Sequence, residues 1–163
     1  MTRETSSRRL PVIITLLVGL MLTVMPLPGL IAPGRPDWLA LLIIFWAMQL
    51  PRTWSVGSAW TIGIILDVAN GTVLGQHALA LCVIAYLTVR FHLLMRVFPL
   101  SQLTATVFAL LALYQFLLFW VNGVAGVDAP SVSYWAPVIS GTVIWPFFYM
   151  FLSGLRYRAR PGA

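Results

Sequence analysis

Apolar residues run through this chain in long blocks separated by short polar segments. Four of these blocks are apolar nearly all the way round a helix: residues 10–30, 74–89, 103–121 and 134–155. A soluble domain would show polar faces at helical or strand spacing, so the pattern indicates helices that are surrounded by lipid. We therefore predict an all-α integral membrane protein with no separate globular domain.

Six transmembrane helices follow from a rise of about 1.5 Å per residue and a hydrocarbon layer of about 30 Å. Their predicted ranges are 10–30, 37–50, 54–70, 74–96, 102–121 and 134–155. The second and third are short, and a re-entrant hairpin made of these two segments is the alternative to two full spans. The six helices form one domain over residues 10–155, between an N-terminal tail at 1–9 and a C-terminal tail at 156–163.

Arginine positions predict the orientation. All ten basic residues are arginine, and nine of them face the cytoplasm if both termini are cytoplasmic: Arg3, Arg8, Arg9, Arg52, Arg90, Arg96, Arg156, Arg158 and Arg160. Cytoplasmic ends of membrane helices carry this excess of positive charge. It accounts for the formal charge of +6 without nucleic-acid binding. Arg35, next to Asp37, is the exception, and the re-entrant alternative would move Arg52 to the outer half.

Composition agrees with a membrane protein, because mean hydropathy is +0.92 and only 9% of the residues are charged. The single cysteine, Cys82, excludes an intramolecular disulfide and a paired-cysteine metal motif. His77 and His92 fall near opposite faces of the membrane, so no metal site is predicted. Ser140 lacks the preceding glycine of a serine-protease motif, since Val138 stands there. We predict neither an enzyme nor a cofactor.

Polar residues concentrate in residues 63–81, GIILDVANGTVLGQHALAL. Steps of four along the third predicted helix and into the turn after it give a row of small residues that contains one carboxylate: Ser55, Ala59, Gly63, Asp67, Gly71 and Gly75. Small side chains let helices approach closely in lipid, whereas a charged residue at the centre of a span costs about 2.5–3.5 kcal/mol. We call the following residues the polar seam: Gly63, Asp67, Asn70, Gly71, Gly75, Gln76 and His77.

Two interpretations of the polar seam remain open at this stage. In one, Asp67 and Asn70 complete the hydrogen bonds of a helix end, while Gln76 or His77 opens the next helix. In the other, the same groups form a ligand pocket or a contact for a partner's helix. Both interpretations place these side chains against protein. Elsewhere, Gln115 is expected to bond between helices, and Pro146 is expected to bend the last helix.

Four stretches, taken together in their order and spacing, resemble the proteobacterial rod shape-determining MreD family. They are RPDW at 35–38, LPRTWSVGSAW at 50–60, the stretch at 63–81 and GTVIWPFFY at 141–149. The resemblance covers about residues 8–158. It is carried by Arg35, Pro36, Trp38, Pro51, Gly57, Gly63, Asp67, Gly71, Gly75, Trp145 and Pro146. The loop at 122–133 and both tails match nothing in particular.

The resemblance implies a non-enzymatic, multi-pass subunit of the bacterial inner membrane that helps to organise sidewall peptidoglycan synthesis and cell shape. The implied partners are MreC, bound directly, and MreB, RodA and a class B penicillin-binding protein within the same elongation complex. The polar seam would then contact MreC or pack helices. Pro51, Trp145 and Pro146 would be structural, and Arg35, Pro36 and Trp38 would form an external entry motif.

The MreD family also looks similar in fold to the six-helix substrate-binding subunits of energy-coupling-factor transporters. An alternative function is therefore a small-molecule-binding membrane subunit of an ATP-driven uptake transporter. In that case the polar seam would line a substrate pocket.

Overall fold

The computed structural model describes residues 3–25, 34–51, 56–126 and 132–158, without the side chains of residues 3–9, 132 and 156–158. Within these ranges the chain is helical, and no strand occurs in them. The elements are α1 (Arg3–Val24), α2 (Trp38–Gln49), α3 (Val56–Asn70), α4 (Gln76–Val97), α5 (Leu100–Val124), a 3-10 helix (Val132–Trp135) and α6 (Ala136–Arg158). The predicted all-α, six-helix fold is confirmed.

The main difference from the predicted helix bounds is in α1. This helix begins at Arg3 instead of residue 10 and ends at Val24 instead of residue 30. The apolar block marks where lipid contact begins, but backbone hydrogen bonding continues into the preceding polar residues. Residues 26–33 lie outside the described part of the chain. The other five helices begin and end within three residues of their predicted bounds.

Helix length divides the bundle into two groups. The stretches Gln76–Val97, Leu100–Val124 and Ser133–Leu155 are long and apolar enough to cross a membrane. The apolar part of α1, from Leu10 to Val24, is shorter, as are α2 and α3. At about 1.5 Å per residue, α2 is about 18 Å long and α3 about 22 Å. Each of these two is shorter than a hydrocarbon layer of about 30 Å.

Two ends of the bundle can be named from the connections. We call the end with the α3–α4 turn at residues 71–75 the outer end, following the orientation predicted from the arginines. The α4–α5 turn at Phe98–Pro99 lies at the opposite, inner end. The chain therefore enters α4 from the outer end and leaves it at the inner end.

Helix α2 forms the centre of the bundle. Every residue from Leu39 to Met48 is buried, and α2 packs against α1, α4, α5 and α6. A helix that is apolar on all sides is stable only where it is covered on all sides. Trp46, which lies within α2, donates its indole N–H to the Thr15 hydroxyl at 3.0 Å and so links α2 to α1.

The inner end of α2 is capped by an arginine from another helix. Arg96, near the end of α4, donates from Nε to the Met48 carbonyl at 3.0 Å and from Nη2 to the Gln49 carbonyl at 2.7 Å. The last carbonyls of a helix have no intrahelical donors, and a cation near them is favoured by the helix dipole. Arg96 thus satisfies carbonyls that the short α2 would otherwise leave unpaired near the membrane.

Helices α3 and α4 make the closest contact in the bundle. A Cβ atom on Gly63 would overlap the backbone of Ala78, so the two helix backbones touch at this point. Seven residues before Gly63, at the start of α3, the Val56 carbonyl accepts a hydrogen bond from Cys82 Sγ at 3.5 Å. The predicted packing role of the small-residue row is therefore seen at Gly63.

We expect Gly63→Ala to destabilise the protein by about 1–3 kcal/mol, because the added methyl group forces α3 and α4 apart. Thermal unfolding of the purified protein in detergent measures this as a lower midpoint temperature. Gly123→Ala is the matched control, since nothing lies within 4 Å of a Cβ at that helical position. The control should be neutral or slightly stabilising, because alanine favours helix. Equal midpoints for the two variants would contradict the close contact.

Candidate functional site

Asp67 lies in the last turn of α3 and is 0% exposed. Its carboxylate accepts hydrogen bonds from the backbone N–H of Gly75 at 2.8 Å and of His77 at 3.1 Å. It also accepts from the Thr72 hydroxyl at 3.0 Å and from His77 Nδ1 at 2.7 Å. The first N–H groups of a helix lack intrahelical acceptors, and the residue that caps α4, Gly75, has no side chain to supply one. Asp67 supplies it from the neighbouring helix.

The turn at residues 71–75 brings the two helix ends together. Gly71 and Gly75 have φ values of +63° and +96°, a region that residues with a Cβ atom rarely adopt. Thr72 follows Gly71, and its backbone N–H donates to the Asp67 carbonyl at 3.1 Å. These two glycines therefore allow a short connection that returns the chain to Asp67. Asn70, the last residue of α3, is exposed beside this turn.

Two members of the polar seam, Gln76 and His77, are the first two residues of α4. The His77 Nδ1 atom must carry a proton to donate to the Asp67 carboxylate, and the ring centroid lies 6.3 Å from that of Tyr114 on α5. Gln76 is buried, and its Oε1 atom has no hydrogen-bond partner among the described residues. The seam thus ties α3 to α4 and brings its histidine next to α5.

A second polar group precedes α2. Arg35 donates from Nη1 to the Met25 carbonyl at 3.0 Å, at the outer end of α1. Asp37 is half-buried and makes no side-chain hydrogen bond to the start of α2. Burial raises the pKa of Asp37 to about 7, although the positive charge of Arg35 acts in the opposite direction. Trp38 opens α2, and its ring lies 6.1 Å from that of Phe148 on α6.

The remaining structural candidates lie away from the polar seam. Trp145 is fully buried and packs against the rings of Phe148 and Tyr149. Pro146 lies inside α6, which continues through it, so the bend expected there stays a prediction. Pro51 is half-buried in the turn that follows α2, and Pro36 is half-buried before it.

The structure brings Asp67, Gly75, Gln76 and His77 together, with Gly63 one turn further down α3. These contacts are the ones that the helix-end interpretation describes.

Sequence reasoning missed the Thr72 hydroxyl, although its position in the turn was a usable signal. It also missed the capping by Arg96, because nothing in the sequence relates residue 96 to residues 48 and 49. Gln115 was predicted correctly to bond between elements, since Nε2 donates to the Tyr134 carbonyl at 2.8 Å.

The site carries no cluster suited to a metal ion. Among the residues that the structure describes, no group of three or more histidine, cysteine, aspartate or glutamate side chains is close enough to hold one. The arrangement can join the end of α3 to the start of α4 through the Asp67 carboxylate and the His77 imidazole.

Comparison with known proteins gives one family and one curated relative. The family model described as rod shape-determining protein MreD matches residues 5–155. The rod shape-determining protein MreD of Haemophilus influenzae is 22% identical over 129 residues, which cover 77% of this chain and 78% of that protein. No solved structure matches the chain.

We expect Asp67→Asn to destabilise the protein by about 1–3 kcal/mol, because an amide group places N–H donors against donors that need an acceptor. Thermal unfolding in detergent measures the loss. Asn70→Ala, three residues further along and exposed, should stay within about 0.5 kcal/mol of the wild type. An Asp67→Asn variant as stable as the wild type would rule out capping by this carboxylate.

From the raised pKa of Asp37 we expect the stability of the folded protein to depend on pH. Its pKa is raised in the folded protein, so its stabilising contribution is fully present below its ordinary pKa of 3.8 and is lost as pH rises through about 7. The midpoint temperature of the wild type in detergent should therefore fall between pH 5 and pH 8. Asp37→Asn should flatten this part of the profile. The same slope in the variant and the wild type would exclude Asp37 as its cause.

Proposed function

We propose, because this chain belongs to the rod shape-determining MreD family, that it binds MreC and helps to organise sidewall peptidoglycan synthesis. It would do so as a non-enzymatic, multi-pass subunit of the bacterial inner membrane. The observation that carries the proposal is the family match over residues 5–155 of a helical, apolar chain. MreB, RodA and a class B penicillin-binding protein would act with it in the same complex, MreB through MreC.

The proposed orientation supports contact with MreC at the outer end. With both termini in the cytoplasm, nine of the ten arginines lie on the cytoplasmic side, as the distribution of positive charge in membrane proteins requires. The outer end then faces the periplasm. MreC, as a single-pass protein with a periplasmic domain, would leave the membrane at the same level.

The polar seam supports this role indirectly. Asp67 is fully buried and its carboxylate is bound by donors of the chain itself, so its part would be to hold the α3–α4 turn. Exposed residues surround that turn, and we call them the outer rim: Val68, Asn70, Val73 and Leu74. The outer rim thus combines exposed apolar side chains with one amide group at the membrane surface. Such a surface suits contact with a partner whose membrane helix ends at this level.

The first test is capture of the protein through a C-terminal tag from gently solubilised membranes, followed by mass spectrometry. We expect to recover MreC together with RodA or the penicillin-binding protein. Recovery of an ATPase pair without them would contradict the proposal and favour the uptake-transporter alternative. Deletion of the protein should also make rod-shaped cells round.

The second test locates the contact. We expect Leu74→Lys to lower MreC recovery about tenfold or more, which corresponds to about 1.4 kcal/mol of binding free energy. Val124→Lys is the matched control, because Val124 is 77% exposed and Leu74 is 68% exposed, and both lie at the outer end of the bundle. Equal recovery with both variants at normal protein abundance would exclude the outer rim as the contact.

A further inference from the structure

Helix α3 lies at the edge of the bundle and is covered mainly on one side. It packs against α4 and makes a smaller contact with α1. Its buried residues lie on the side that meets α4: Ala59, Gly63, Leu66 and Asp67. With 3.6 residues in each turn, the residues on the opposite side of α3 point away from the bundle.

The side of α3 that points away from α4 is exposed along most of the helix. We call it the α3 outward face and define it by four residues: Trp60, Thr61, Ile65 and Val68. Trp60 is 54% exposed, Ile65 47% and Val68 68%, and Thr61 is also exposed. Thr61, Ile65 and Val68 follow one another at steps of four and three residues, which places them in one row. Val68 also belongs to the outer rim, so the two surfaces are continuous.

Trp60 lies deeper than tryptophans that anchor a helix at the membrane surface. Gly63 meets Ala78, two residues after α4 begins, and Trp60 is three residues further inward along α3. At about 1.5 Å per residue, Trp60 therefore lies about 8 Å inward of the start of α4. Its Cα–Cβ bond tilts towards the N-terminus of α3, which directs the ring further inward. Anchoring tryptophans, in contrast, lie at the level of the headgroups.

The indole N–H of Trp60 has no acceptor within the part of the chain that the structure describes. Lipid tails offer none, and a polar group without a hydrogen bond in apolar surroundings is unfavourable. The buried Trp46 shows the usual arrangement, since its N–H donates to the Thr15 hydroxyl. The Trp60 N–H therefore calls for an acceptor from outside the bundle, at a depth below the headgroups.

The exposed face of α6 provides a comparison. Between residues 136 and 151 its exposed residues are all apolar: Ile139, Val143, Phe147, Met150 and Phe151. Lipid tails can cover such a face without leaving a donor unpaired. The α3 outward face differs because it carries an indole N–H beside the compact side chain of Thr61, whose hydroxyl donates to the Gly57 carbonyl of its own helix at 2.9 Å. This difference favours a protein partner over lipid on α3.

We propose that the membrane helix of MreC packs along the α3 outward face and accepts a hydrogen bond from the Trp60 indole. This inference rests on the proposed function, in which MreC binds at the outer rim. A helix that ends at the outer rim continues inward along the face that shares Val68 with it. The compact Thr61 lets a second helix approach closely, and a large exposed aromatic side chain is the kind of group that anchors an interface.

Site-specific photocrosslinking in cells tests this proposal in the full-length protein. A photoreactive amino acid is placed at Thr61, and in a separate variant at Phe116 on α5 as the matched control. Both positions are exposed and lie in the outer half of the bundle, but α5 packs on α4, away from the α3 outward face. After irradiation, the protein is purified through a C-terminal tag. Mass spectrometry identifies the attached polypeptide and the peptide that carries the link.

We expect MreC adducts at Thr61 to exceed those at Phe116 about tenfold, with the link in the membrane-spanning segment of MreC. Trp60→Phe keeps an aromatic ring but removes the N–H, so it should lower the Thr61 adduct about threefold or more. Trp120→Phe is the matched control, because Trp120 is 58% exposed on α5. It should leave the adduct unchanged. Equal effects of the two substitutions would overturn the hydrogen bond from Trp60.

The outcomes separate this inference from the proposed function. If MreC co-purifies with the protein but forms no more adduct at Thr61 than at Phe116, the α3 outward face is excluded and MreC binding stands. An adduct at Thr61 with lipid alone, or with a polypeptide other than MreC, also overturns the inference. If MreC does not co-purify with the wild type, the proposed function fails and the inference fails with it.

Discussion

The Asp67 carboxylate joins α3 to α4, and the arrangement of the outer end depends on this one group. It accepts backbone and side-chain donors from the turn and from the first residues of α4. In lipid, no water is present to satisfy unpaired N–H groups, so a helix that begins near the membrane needs its acceptors from the protein. The same carboxylate orients His77 towards α5. One acidic residue thus satisfies a helix end and positions a neighbouring histidine.

The inner end follows the same principle with the opposite charge. Arg96 satisfies the last carbonyls of α2, as Asp67 satisfies the first N–H groups of α4. Between them, α2 is buried on all sides and is held by packing and by the hydrogen bond from Trp46 to Thr15. A bundle whose second and third helices are shorter than the membrane is therefore stabilised by charged residues at helix ends, while apolar packing fills the space between.

These short helices also give the protein its surfaces. At the outer end, the turn held by Asp67 exposes the outer rim, which we propose as the contact for MreC. This surface is a consequence of where α3 ends and α4 begins. The family match supports a role in rod-shape determination, and the outer rim is the surface through which we propose that the protein binds its partner.

The sequence by itself determined the helical membrane fold, because long apolar blocks are stable in a bilayer when their backbone groups form hydrogen bonds within a helix. It also pointed to Gly63, Asp67 and the turn glycines, since small residues at steps of four and a glycine-rich turn have local physical causes. Tertiary structure alone decided that Asp67 caps α4 and that Arg96 caps α2. Those outcomes depend on which helices become neighbours and at what depth, and such relations between distant residues leave no periodic signal in a single chain.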